Sequence, residues 1–139
     1  MPDNVYLGNP NLKKANTAIE FTQDQVLEIV RCKEDPVYLA ERYVKIVSLD
    51  EGLVPFKPYH FQKKLINNFH ENRFNICKMP RQTGKSTTVV SYLLHYALFN
   101  DSVNIGILAN KASTARELLG RLATAYENLP KWMQQGILV

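Results

Sequence analysis

Met79-Pro80-Arg81-Gln82-Thr83-Gly84-Lys85-Ser86-Thr87 lies past the middle of a 139-residue chain and decides how the residues on either side of it read. Its second half, Gly84-Lys85-Ser86, matches the end of the phosphate-loop pattern GxxxxGK[ST], while Met79 stands where the first glycine belongs. The pattern has a physical basis. Successive backbone N–H groups must converge on phosphate oxygens, and Gly84 supplies the close approach and the dihedral freedom this needs. Lys85 offers a point charge to the β- and γ-phosphate oxygens, and Ser86 a hydroxyl to Mg2+. A helix opening near Ser86 aims its positive end at the same anion. With Met79 in the first position, the loop must start from ordinary β-region dihedrals, which makes it a deviant form of the pattern.

A bare GK[ST] triplet arises by chance in several per cent of chains this long, so context has to decide. The competing reading is a basic turn capped by Ser86. Residues 74–79 alternate (Phe74, Ile76 and Cys77 among polar neighbours) and read as a short strand ending where the loop begins. Residues 87–100 read as a helix, apolar at Val90, Leu93, Leu94, Ala97 and Leu98, that starts where the loop ends. A loop between a strand and a helix is where a phosphate cradle belongs. Pro80, Gln82, Thr83 and Thr87 complete the candidate nucleotide-binding set. Arg81 keeps two readings: a guanidinium finger on the γ-phosphate supplied in cis, or an ion pair with a nearby acid that orders the loop.

Further out, the chain alternates. Residues 103–109 form a second short apolar run containing Gly106, read as a strand. Thr114-Ala115-Arg116-Glu117 fits a capping box and leads a helix with Leu118, Leu119, Leu122 and Tyr126 on one side, ending before Pro130. Strand, loop, helix, strand, helix implies parallel strands joined by crossover helices. Upstream, Thr22-Gln23-Asp24-Gln25 is another capping box opening a helix to about residue 33, and Asp35-Pro36 restarts the chain as N-cap and first helical residue. That second helix buries Tyr38 and Leu39. Residues 44–54 stay ambiguous, and residues 1–20 read as a polar arm. From Pro58, the spacing of Phe61, Leu65, Ile66 and Phe69 predicts a helix with one buried stripe. Gln62 on that helix follows an aromatic turn (Tyr59, His60, Phe61); its amide matches the edge of adenine, and Tyr59 or Phe61 can stack on the ring. The alternative is a surface glutamine.

Composition excludes several classes. At 45% hydrophobic and 22% charged residues the chain is not disordered as a whole. The apolar stretch 89–99 is broken by Ser91 and His95 and is too short to span a bilayer. Asp3, Asn4 and Asn9 occupy the place of a signal peptide's apolar region. Cys32 and Cys77 make neither a disulfide framework nor a zinc-ligand spacing, which favours a reducing, cytoplasm-like compartment. The net charge of +4 is concentrated: residues 57–85 hold seven basic side chains against Glu71 alone. Part of that charge faces phosphate, or it is a solvated helix face, the even alternative for Lys63 and Lys64.

Phe61-Gln62, the loop from Pro80 to Thr87 and Gly106-Ile107-Leu108-Ala109-Asn110-Lys111 together resemble the large terminase subunit of tailed bacteriophages, most closely that of contractile-tailed phages. The resemblance implies an α/β fold of P-loop NTPase (RecA/ASCE-like) type with a parallel sheet and a helical N-terminal region. In its terms, 1–20 is an arm, 21–57 a helical lead-in and 58–139 the nucleotide-binding core, with 21–139 forming the N-terminal portion of the ATPase domain. It implies Gln62 as the adenine-reading residue, Arg81 and Lys85 as catalytic, and Ser86 as the metal contact. The cofactors would be ATP and Mg2+. Partners would be double-stranded DNA, held through phosphates without sequence preference, the portal protein, the small terminase subunit and further copies in a homo-oligomeric ring. Such a motor works in the cytoplasm of an infected bacterial host, docked on the procapsid portal, neither in a membrane nor secreted.

The sequence departs from that family after the loop. A P-loop ATPase also needs acids at the end of a strand, one for Mg2+ and one for the attacking water. Only Asp101, Glu117 and Glu127 follow, and none ends an apolar run. Gly136-Ile137-Leu138-Val139 reads as the first residues of a further strand. The expectation is therefore an N-terminal piece of a motor, with the nuclease domain absent, little or no turnover alone, and an exposed sheet edge prone to association. The alternatives are a superfamily 2-type helicase or translocase, which shares an upstream Gln and a segment like 114–118, and a non-catalytic basic module that holds DNA or a partner protein. A small-molecule kinase fits less well, because its lid needs more chain than remains.

Overall fold

The computed structural model describes residues 5–6, 9–13 and 19–134. Its helices begin where local chemistry dictates. Thr22 caps helix α1 (Gln23–Glu34): its hydroxyl accepts from the Gln25 N–H at 3.2 Å, and the Gln25 side chain accepts in return from the Thr22 N–H at 3.1 Å. Asp35 then caps helix α2 (Pro36–Arg42) by accepting from the N–H groups of Val37 and Tyr38, with Pro36 in the first turn, where a missing N–H costs nothing. Glu28 of α1 ties the two helices together, its carboxylate accepting from the phenol hydroxyls of Tyr43 and Tyr38 at 2.5 and 2.8 Å. The two hydroxyls, Tyr43 first, hold its carboxyl below the usual range.

Residues 44–54, ambiguous in sequence, form a hairpin. Strands β3 (Lys45–Ser48) and β4 (Gly52–Pro55) pair antiparallel, with Ile46 opposite Val54 and Ser48 opposite Gly52. Gly52 takes a φ of +74°, which the turn requires and a side chain resists. The polar arm also contains pairing strands, β1 (Val5–Tyr6) and β2 (Asn9–Lys13). Its order comes from far along the chain: buried Gln134 accepts from the Lys13 N–H at 2.8 Å and donates to the Asn11 carbonyl at 2.7 Å.

Helix α3 (His60–Glu71) is rotated from the expected stripe. Ile66 is fully buried, but Phe61 is exposed and Gln62 takes the inward place. Helix α4 (Lys85–Phe99) starts inside the loop motif, two residues before the expected boundary, and runs through the centre of the molecule against α1, α2, α3 and α5. Leu94 and Leu98 join Ile66, Leu39, Ala40 and Cys32 in one core. Burial pushes the Cys32 thiol up to about 12, which leaves it unreactive. Helix α5 (Ala112–Glu127) begins two residues ahead of Thr114 from an N-cap at Lys111 without a side-chain cap, so the capping box expected at Thr114 does not form. It adds Ala125 and Tyr126 to the core, and a 3-10 turn (Lys131–Met133) adds Met133.

The molecule is mixed α/β, and both sheets among the described residues are two-stranded and antiparallel. The parallel sheet expected from residues 74–79 and 103–109 is not formed there. Each segment carries alternating apolar residues but bonds into no ladder, because a strand exists only with a neighbour to bond. Residues 136–139, read as the start of a further strand, lie outside the described residues.

His95 of α4 makes stability pH-dependent. Its Nε2 lies 2.8 Å from the Cys32 carbonyl and 3.2 Å from that of Lys33, so it must carry the proton and donate. That leaves Nδ1 buried without a partner among the described residues. Burial chiefly, with His70 adding to it, lowers the imidazole pKa below its ordinary value. A depressed histidine stabilises the fold above its unfolded pKa of about 6.5, and the contribution is lost as pH falls below that value. The melting temperature should drop between pH 7.5 and 5.5, less steeply in His95→Gln, which keeps a donor but does not titrate. Parallel slopes in both proteins would remove His95 as the cause.

Candidate nucleotide-binding site

The loop at residues 79–85 curls rather than extends. Gln82 has φ +61° and Gly84 φ +74°, with Thr83 between them outside the positive region. Alternating signs of φ are the backbone pattern by which an anion-holding nest turns successive N–H groups toward one side. Two side chains fasten the curl: the Thr83 hydroxyl donates to the Pro80 carbonyl at 2.9 Å, and the Lys85 ammonium donates to the Met79 carbonyl at 3.3 Å. Lys85 thus reaches back across the loop from its exit to its start. A positively charged donor ties the two ends of the loop together.

Gly84 is the N-cap of α4, and no side chain caps that end. The first intrahelical bond is Thr88 N–H to the Gly84 carbonyl at 3.0 Å, so the N–H groups of Lys85, Ser86 and Thr87 have no acceptor within the helix. Open donors at a 15-residue helix, a lysine and a hydroxyl are the groups that ordinary electrostatics offers to an anion. Ser86 and Thr87 are half-buried in that first turn, while Pro80, Arg81 and Gln82 are exposed. Arg81 makes no ion pair among the described residues, so its guanidinium is not held by an acid there.

The aromatic turn sits beside the loop exit. Tyr59 and Phe61 stack with ring centroids 6.0 Å apart and planes 11° from parallel. Tyr59 is 70% exposed, and Phe61 is also open to solvent. Gln62 is buried between this turn and the loop, accepting from the Tyr59 N–H at 2.8 Å and donating to the Gly84 carbonyl at 3.2 Å. Thr88 was not among the sequence candidates. Its hydroxyl donates to the same Gly84 carbonyl at 2.8 Å, and a threonine four residues after the loop glycine is the signal that could have pointed to it.

Of the basic residues in 57–85, Lys63 is neutralised by Glu41 of α2 at 2.5 Å, whereas Lys64, Arg73 and Lys78 are exposed. Two cavities flank α4. One, of about 230 Å³, is lined by Lys85 and Ser86 together with Leu65, Cys77, Val89 and Ile107, so it brings 74–79 and 103–109 to the same flank of the helix. The other, of about 690 Å³, lies away from the loop between α4, α5 and residues 100–107. Among the described residues no three His, Cys, Asp or Glu side chains gather as a metal site, and no helix is long and apolar enough to cross a membrane. No protein-family model matches the chain.

Proposed function

We propose that this chain binds the phosphates of a nucleoside triphosphate in the loop 79–87. The single observation that supports this most is the curled loop itself, with Lys85 reaching back to the Met79 carbonyl at the uncapped mouth of α4. Lys85 would leave the Met79 carbonyl for phosphate oxygens, and the open N–H groups of the first helical turn would take the rest of the charge. Ser86 supplies one hydroxyl to Mg2+, which would arrive on the phosphates, since that ion is commonly held by few protein ligands and by the nucleotide itself. Tyr59 and Phe61 offer ring faces to the base.

The likeness of the loop and of the upstream Phe61-Gln62 to large terminase subunits extends this to the ATP-binding part of a viral DNA-packaging motor. In that reading residues 74–79 and 103–109, which bond into no sheet in this structure, would become strands of a parallel sheet, and Phe74, Ile76 and Leu108, at 82, 101 and 97% exposure, are side chains that further strands and helices would cover. Hydrolysis would need acidic groups from outside the described residues, so nucleotide binding rather than turnover is the property to measure.

Saturating MgATP should raise the melting temperature. At a hundred times Kd the ligand contributes about 2.7 kcal/mol, roughly 5–10 °C for a chain of this size. Lys85→Ala should abolish the shift while leaving the ligand-free melting temperature within about 2 °C, because the lysine is exposed and its one bond is to a loop carbonyl. An equal shift in both proteins would show that the loop is not the site.

A further inference from the structure

Gln62 is a polar side chain only 3% exposed, held between two backbone groups of different elements. Its Oε1 satisfies the Tyr59 N–H, one of the donors left open at the start of α3. Its Nε2 donates to the carbonyl of Gly84, the residue that ends the phosphate loop and begins α4. That carbonyl also receives the N–H and the hydroxyl of Thr88, so three donors fix one oxygen. A Cβ on Gly84 would come within 2.5 Å of the Gln62 Nε2, which shows how closely the amide is packed on the loop. An amide that reads a base must turn a donor and an acceptor toward the ring edge. Here both ends are engaged within the protein, and little of the residue reaches the surface.

We propose that Gln62 is a positioning residue that braces the exit of the phosphate loop against the aromatic turn, and that it does not read the base. The brace holds the Gly84 carbonyl pointing into the protein and so keeps the loop's N–H groups turned the other way, toward the phosphates. Contact with the base falls to the faces of Tyr59 and Phe61, which any purine can use. The proposal depends on the nucleotide reading for its ligand but not for the brace itself.

Two variants test it. Gln62→Glu keeps the acceptor for Tyr59 but sets a carboxylate oxygen against the Gly84 carbonyl; Gln62→Met keeps the length and removes both bonds, and carries the comparison should the first variant fail to fold. Hydrogen exchange of the Thr88 amide is followed without ligand, and MgADP and MgGDP are titrated separately. Loss of the brace should speed exchange about tenfold or more and weaken both nucleotides by the same factor, again about tenfold. A loss confined to MgADP would make Gln62 a base reader and overturn the proposal, whatever the exchange does. Unchanged exchange overturns it as well. A wild-type chain that binds neither nucleotide removes the nucleotide reading, and the exchange rates then decide the brace alone.

Discussion

Truncating Ile66 to alanine should cost the fold about 2–5 kcal/mol, the range for deleting a large aliphatic side chain from a packed core. Ile66 is fully buried on α3, in one cluster with Leu39 and Ala40 of α2 and Leu94 and Leu98 of α4. Removing its branched end leaves a void among helices that cannot close without moving the central one. Against a total of about 5–15 kcal/mol for a domain, that is a large fraction. The effect should reach the candidate site, because Ile66 and Gln62 lie one helical turn apart on the same inward face of α3. Urea unfolding is the measurement: a lower midpoint at constant slope is expected. An unfolding free energy within about 0.5 kcal/mol of wild type would mean that α3 is not seated on α4 through this residue.

What the sequence revealed of this fold follows from where the deciding interactions lie. The caps at Thr22 and Asp35 are settled within three residues of chain, and both appear in the structure as read. The loop was legible for the same reason, since its curl depends on Gly84 and on side chains within it. Interactions over longer separations were not legible. Phe61 satisfies the helical period as well as Ile66 does, but the place facing α4 is taken by Gln62, whose amide finds partners at Tyr59 and Gly84 that no local pattern announces. The hairpin at residues 44–54 depends on the turn at Gly52, and the strands of the arm on Gln134, more than a hundred residues away. At 74–79 and 103–109 the alternation of a strand is present without a ladder, because period-two patterning describes which faces are apolar and cannot supply a neighbour.

Gly84→Ala should be the most damaging single change within the loop, and a control elsewhere in the chain shows why. Gly84 and Gly52 both sit at φ +74°, so alanine at either must enter the left-handed region at about 1–2 kcal/mol. At Gly52 nothing lies within 4 Å of the added Cβ, and the cost should stop there. At Gly84 the Cβ meets Gln62 Nε2 at 2.5 Å. A flexible side chain would swing aside, but Gln62 is buried and held at both ends, so yielding breaks the bond to Gly84 and strains the one to Tyr59. With about 1 kcal/mol for each bond, Gly84→Ala should cost about 2–4 kcal/mol in all, against about 1–2 for Gly52→Ala. The two contributions separate in a double-mutant cycle. In a Gln62→Ala background the clash has no partner, so adding Gly84→Ala should cost no more than the backbone effect, and the single-mutant costs should fail to add by about 1–2 kcal/mol. MgATP stabilisation should vanish in Gly84→Ala and survive in Gly52→Ala. Equal destabilisation at the two glycines, with strict additivity in the cycle, would mean that Gln62 does not press on the loop.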